Sequence, residues 1–239
     1  MAKIAEGKTK IVLTSPIKGQ VLLKFKDDIT ALDGAKRNVI PGKGSINAKL
    51  SAFLFKLLEA EGVPTHFVEM ENSSTLRVRE LRMMPLEVVC RNIATGRLVK
   101  NYPFFKEGEK LPTPLVEFFL KDDLHHDPLL SEEHMKIFNL ANDEEIKSMK
   151  EITLKVNKIL ADFLKTKGLQ LVDFKLEFGR DGEGKLRVGD ELNLDSMRLW
   201  DLETGRSIDK DIYRKGGSLE DVAKVYREGL KRITGEDLR

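Results

Sequence analysis

Leu171-Val172-Asp173-Phe174-Lys175-Leu176-Glu177-Phe178 is the stretch on which the reading of this chain turns. Strand alternation puts Val172, Phe174, Leu176 and Phe178 on one face, and Asp173, Lys175 and Glu177 on the other. A turn follows at Asp181-Gly182-Glu183-Gly184, and the run beyond it carries Gly189-Asp190-Glu191. Strands over 169–178 and 185–192 therefore predict a hairpin that can bring together carboxylates from both arms. A register slip of one residue decides whether Asp190 or Glu191 faces Glu177. Paired carboxylates on a rigid hairpin suit Mg2+, a hard ion that takes oxygen ligands and bridges them to nucleotide phosphates. A charged strand face turned to water fits the same spacing, so the hairpin suggests a metal site without establishing one.

Toward the N-terminus, Lys10-Ile11-Val12-Leu13 and Val21-Leu22-Leu23-Lys24-Phe25 read as strands, parted by turn signals at Ser15-Pro16 and Lys18-Gly19. Ser45 opens a helix in which Ile46, Leu50, Phe53, Leu54, Leu57 and Leu58 recur at helical spacing until Gly62. Further strands are predicted at 66–69, 76–79 and 86–90. Residues 101–128, with Pro103, Pro112, Pro114 and Pro128, read as a long structured loop. Asp143 caps the longest predicted helix, whose apolar stripe includes Ile146, Met149, Val156, Leu160 and Leu164 and runs to Gly168. Ser218 and Asp221 resemble a capping box opening a last helix that ends near Gly235. Strands first, helices later and a late hairpin predict an α+β fold of two lobes.

Lys plus Arg number 41 against 39 Asp plus Glu, a balance that argues against a nucleic-acid partner, which would call for a basic excess. Cys90 is the only cysteine, so neither an internal disulfide nor a cysteine zinc site can form, and its apolar run predicts a buried core residue. The opening residues lack the apolar core of a signal peptide, and no apolar run approaches the ~18 residues of a membrane helix. A soluble, cytoplasmic protein is expected, with no membrane partner.

Three more clusters could carry chemistry. Glu6-Gly7-Lys8-Thr9-Lys10 precedes a strand; its glycine lets backbone approach a phosphate and its lysines can reach charged oxygens, but the spacing is not that of a Walker loop. Cys90-Arg91-Asn92-Ile93-Ala94-Thr95-Gly96-Arg97 and Asp195-Ser196-Met197-Arg198-Leu199-Trp200-Asp201 offer Arg91 and Arg198 for bidentate binding of phosphate or carboxylate. Each cluster alone fits a solvated turn or a surface ion pair as well. His66, His125, His126 and His134 show no metal-binding spacing.

Taken together and in order, these strings resemble the SAICAR synthetase family. EGKTK at 6–10 resembles its opening motif, KDDITALDGAK at 26–36 its DDITAGDGA segment, and PLEVVCRNIATG at 85–96 its PxEVVxRxxAxG. FFLKDDLHHDP at 118–128 is similar to its FxKDDxxHDP loop, LVDFKLEFG with GDE to its signature hairpin, and DSMRLWD at 195–201 completes the set. The resemblance implies an N-terminal antiparallel β lobe similar to that of protein kinases (1–84), a larger α/β lobe (85–239), and ATP bound between them. It implies an ATP- and Mg2+-dependent ligase joining L-aspartate to carboxyaminoimidazole ribonucleotide (CAIR), in a homodimer or other homo-oligomer. Carried over by motif, Gly7, Lys8, Thr9 and Lys10 would meet the phosphates and Arg82, Met83 and Met84 the adenine. Glu177 and Asp190 would hold Mg2+, and Lys10, Lys175, Glu177 and Asp190 would form the catalytic set. Asp33, Arg91, Gly96, Arg97, Lys121, Lys175, Asp195 and Arg198 would bind substrate.

The chain departs from the family pattern at Leu32, where Gly is usual, at Arg97, where Ser is common, and at Leu192-Asn193-Leu194, where many members read Ile-Ser-Pro. Arg97 is expected to point inward toward the ribonucleotide phosphate. A small-molecule kinase and a non-catalytic ribonucleotide-binding regulator are the competing readings; the first would form product without aspartate, and the second would not need the Glu177/Asp190 pair.

Overall fold

The computed structural model describes residues 1–31 and 36–237, so the expectations for Leu32 and Asp33 lie outside the described residues. The chain runs through β1 (Lys3–Glu6), β2 (Lys10–Thr14), β3 (Gln20–Phe25), β4 (Asp28–Ala31), β5 (Lys36–Val39), α1 (Lys43–Ala60), β6 (Phe67–Asn72) and β7 (Thr75–Arg79). It continues as β8 (Arg82–Ile93), α2 (Arg97–Asn101), β9 (Lys110–Leu120), β10 (Leu129–Leu130), α3 (Glu132–Ile137) and α4 (Asp143–Thr166). The last part is β11 (Leu169–Arg180), β12 (Leu186–Gly189), β13 (Met197–Asp201), α5 (Asp211–Arg214) and α6 (Leu219–Thr234).

Two antiparallel sheets organise most of these elements, and β4 pairs with β5 in a separate two-stranded sheet. The first has the order β1-β2-β3-β7-β6; the second runs β10-β9-β8-β11-β12, with β13 also paired to β11. The α+β expectation is met. Strand β12 ties the sheets together: the His66 amide donates to the Val188 carbonyl at 2.9 Å, and the Val188 amide donates to the Pro64 carbonyl at 3.0 Å. That tie fixes the end of β12, and hence Asp190, opposite β2 and its Lys10. One apolar core runs through both halves, from Leu23 and Phe25 to Phe174, Leu176 and Phe178, and Cys90 lies within it.

The helices follow their sequence signals with shifts that have local causes. The α4 cap is Asn142 rather than Asp143: Asn142 and Glu145 form a reciprocal capping box, and Asp143 sits one position inside. α4 turns Ile146, Met149, Val156, Leu160 and Leu164 inward against β11, β8 and β9. α1 starts at Lys43, two residues before Ser45, because its cap comes from a distant side chain. Asp27 accepts from the Gly42 amide at 3.0 Å and the Gly44 amide at 2.8 Å. A Cβ on Gly44 would sit 2.7 Å from the Phe25 carbonyl oxygen, so only glycine lets the helix approach β3 this closely. Ser218 caps α6 and Gly235 ends it at φ 79, as expected.

The long loop predicted over 101–128 contains a long strand, β9. β9 pairs with β8 in register from Leu120↔Leu86 to Leu115↔Arg91, and then a break precedes Lys110↔Ile93. Pro112 and Pro114 fall in that break, where no ladder N–H is needed. Proline content was therefore a poor guide to this segment. β1 carries no sequence signal of its own beyond Ile4. Among the described residues no helix is long and apolar enough to cross a membrane.

Candidate active site

A cavity of about 750 Å³ opens between the β1–β2 turn, the β8–β9–β11 face and the segment after β12. The polar face of β11 lines it. Asp173 and Glu177 are 4% and 3% exposed, so the solvated-face reading of this strand fails. Glu177 pairs directly with Gly189 in the hairpin, and Asp190 follows at φ 59, a left-handed conformation that Asp tolerates better than most residues.

One end of the cavity is a lattice of lysines and carboxylates. Lys10 Nζ lies 3.1 Å from Asp190 Oδ2 and 2.9 Å from Glu191 Oε1. Lys121 Nζ is 2.6 Å from Glu177 Oε2, and Lys175 Nζ is 2.5 Å from Glu87 Oε1 and 3.7 Å from Glu177 Oε1. Burial raises the Glu177 carboxyl above its ordinary value, and the Asp190 charge raises it further against the pull of Lys175 and Lys121. Burial also opposes the Asp190 charge, but Lys10, Lys121 and Lys175 outweigh it and hold this carboxyl low. Lys10 is itself buried, which disfavours its charge; Asp190 and Glu191 more than compensate and hold it protonated.

The other end gathers arginines on a single carboxylate. Asp173 Oδ2 accepts from Arg91 Nη1 at 3.0 Å, Arg198 Nη1 at 2.7 Å and Thr95 Oγ1 at 3.2 Å. Arg91 also donates to Glu117 at 2.5 Å, and Arg198 to Asp211 at 3.1 Å, so neither is a surface ion pair. Gly96 has φ 57, and a Cβ there would meet Arg198 Nη2 at 3.2 Å. Lys210 and Arg214 complete this end. Burial pulls the Lys210 amine down to about 8; Asp195 opposes this, and Arg214 and Lys43 reinforce it.

Other expected residues take different positions. Lys8 pairs with Asp123 at 2.6 Å at the cavity edge. Arg97 lines the cavity but donates to the Asp127 carbonyl at 2.9 Å and lies over the Phe119 ring at 5.6 Å, so it is held by the 121–128 loop. That loop is tight: the Asp122 amide donates to Asp127 Oδ1 at 3.0 Å, and His126 and Asp127 both have positive φ. Asp195 borders the cavity, yet Lys43 at 2.5 Å, Asn47 at 3.0 Å and Tyr226 all bond its carboxylate. Arg82, Met83 and Met84 open β8 outside this cavity's lining, with Met84 in the core. Glu87, Glu117, Lys210 and Arg214 were missed. Glu87 had a readable signal, a lone charge in the apolar run Leu86–Cys90, whereas Lys210 and Arg214 sit in a charged stretch that reads as surface.

Residues 3–233 match the family model for SAICAR synthetase. The chain belongs to the SAICAR synthetase family. The phosphoribosylaminoimidazole-succinocarboxamide synthase of Sulfurisphaera tokodaii is 53% identical over 232 residues, which cover 97% of this chain and 98% of that protein. That of Pyrococcus horikoshii is 46% identical over 239 residues, covering 99% and 97%. Among solved structures, a SAICAR synthetase in complex with ADP superposes with a TM-score of 0.93 at 45% identity, covering 98% of this chain and 99% of the other. The enzyme from Ehrlichia chaffeensis gives 0.94 at 37% identity, covering 99% and 100%. Family membership unites the four motif clusters, which the fold brings to one SAICAR synthetase cavity.

Proposed function

We propose that this chain joins the amine of L-aspartate to the carboxylate of CAIR, with ATP as the phosphoryl donor and ADP and phosphate as co-products, in purine biosynthesis. The observation that carries this reading is the cavity itself, with a lysine–carboxylate end and an arginine end on one strand face. A carboxylate is a poor electrophile. Transfer of the γ-phosphoryl group of ATP to a CAIR carboxylate oxygen gives an acyl phosphate; the aspartate amine then attacks the carbonyl carbon, loses a proton, and phosphate departs with that oxygen. Such chemistry depends on positioning and on offsetting phosphoryl charge.

In this reading Gly7, Lys8, Thr9 and Lys10 meet the phosphates, with the nucleotide lying between a lobe of residues 1–84 and one of 85–239 and its adenine near Arg82–Met84. Lys121 and Lys175 balance the charge of the buried carboxylates. Arg91 and Arg198, fixed by Asp173, face the anionic ribonucleotide beside Gly96 and Arg97, and Lys210 and Arg214 add two cations there. Asp195 borders the same pocket, and the family motif assigns Asp33 to the substrate as well. Glu177 and Asp190 fit Mg2+: they are hard oxygen donors from the two arms of the hairpin whose charges repel, which a cation relieves, and Mg2+ commonly binds through one or two carboxylates plus substrate phosphates. When bound, the ion offsets charge on the transferring phosphoryl group.

Cytoplasmic residence and homo-oligomeric assembly belong to the same proposal, and light scattering tests the second. The activity is tested by ADP release with ATP, Mg2+, CAIR and L-aspartate, and by the mass of the product. Stoichiometric turnover without aspartate would point instead to a kinase.

A further inference from the structure

Lys10 is gripped from two sides, and one grip leads to a residue that the reaction does not touch. Glu191 Oε1 is 2.9 Å from Lys10 Nζ, while Glu191 Oε2 accepts from Asn193 Nδ2 at 2.9 Å. Asn193 is fully buried. Its Nδ2 also donates to Ser51 Oγ on α1 at 3.2 Å, and its Oδ1 accepts from the Asp195 amide at 2.9 Å. The Asn193 carbonyl accepts from the Ser196 and Met197 amides, both at 3.1 Å, so the residue cannot shift without reshaping the turn into β13. The amide is thus anchored to α1 and to its own turn, and its remaining hydrogen-bonding capacity goes to the carboxylate that holds Lys10.

We propose that Asn193 is a positioning residue for Lys10, acting through Glu191. The second partner of Lys10, Asp190 at 3.1 Å, is one of the two carboxylates assigned above to Mg2+. When that carboxylate turns to a cation, Glu191 is left to aim the lysine, and Asn193 decides where Glu191 stands. A carboxylate fixed by a buried amide loses little freedom on holding its lysine, whereas an unrestrained one samples several rotamers. Asn193 is also one of the positions where this chain departs from the Ser common in the family. A serine can still accept from the Asp195 amide, but it has no NH2 group to share between Ser51 and Glu191. The inference rests on the reading of Lys10 as a phosphate contact.

The test is a double-mutant cycle on ADP affinity by calorimetry, with Asn193→Ser in the parent and in Lys10→Ala, and thermal melts to confirm folding. In the parent, Asn193→Ser is expected to raise the Kd for ADP by about fivefold, as for one weakened charge-assisted hydrogen bond. In Lys10→Ala the same change should cost less than about twofold, because coupled sites are non-additive. Glu191→Gln, which keeps the side-chain shape, should repeat the pattern, and the calorimetric Kd for CAIR should not move in Asn193→Ser. Equal losses in both backgrounds would mean a merely structural asparagine and overturn the proposal. So would an Asn193→Ser variant with parental affinity while Lys10→Ala binds ADP poorly, and in that case the nucleotide reading survives. If Lys10→Ala itself binds ADP as well as the parent, both fall.

Discussion

Gly96 shows how much of this site depends on single residues. Its φ of 57 and ψ of −125 lie where only glycine is comfortable, and a Cβ would press on the Arg198 guanidinium. Gly96→Ala should cost about 1–3 kcal/mol of stability from backbone strain alone. It should also raise the KM for CAIR while leaving that for ATP unchanged; melts and steady-state kinetics check the two effects separately. Lys210 makes the converse case, a cation kept buried at a cost. Its amine is depressed to about 8 by burial, so below pH 8 the folded protein carries a charge that is better solvated in the unfolded chain. Between that value and the ordinary lysine range the folded protein releases the proton first, so its stability rises with pH. Lys210→Met should therefore be the more stable protein at pH 7, by up to about 3 kcal/mol, and the gap should close as pH approaches 10. Paired denaturation curves at the two pH values test this, and a pH-independent gap would contradict it.

The informative element is the β11–β12 hairpin. Glu177→Gln and Asp190→Asn should each lower turnover by several orders of magnitude and abolish the gain in ADP affinity that Mg2+ gives the parent, with melting little changed. A full Mg2+-dependent gain in both variants would place the ion elsewhere. This element was legible in the sequence because the alternation in Leu171–Phe178 and the turn at 181–184 carry their own signals. So were α4, α6 and the arginines as candidate anion binders. Legibility ended where neighbours act from a distance in sequence. The start of α1 is set by Asp27, fifteen or so positions upstream, which no capping rule for Ser45 could show. β9 was hidden because its prolines fall in a break of pairing that becomes visible only beside β8. Whether the charges of β11 face water or a cavity depends on β8 and β9 alongside, and nothing local in sequence shows that Asp195, at the cavity's border, is also held by Lys43 and Tyr226.

Across the whole molecule, two sheets share one apolar core and meet where β12 bonds to residues 64–66, so the carboxylates of one half face the lysine of the other. The proposed function builds on that closure: it assigns phosphoryl charge to the lysine end and ribonucleotide charge to the arginine end, with one carboxylate to be activated between them. In the proposed reaction the CAIR carboxylate oxygen is phosphorylated before aspartate attacks. CAIR labelled with 18O in its carboxylate, turned over with ATP, Mg2+ and L-aspartate, tests it directly by mass analysis of the released phosphate. One labelled oxygen is expected in the phosphate for every amide formed. Amide formation with unlabelled phosphate would contradict it.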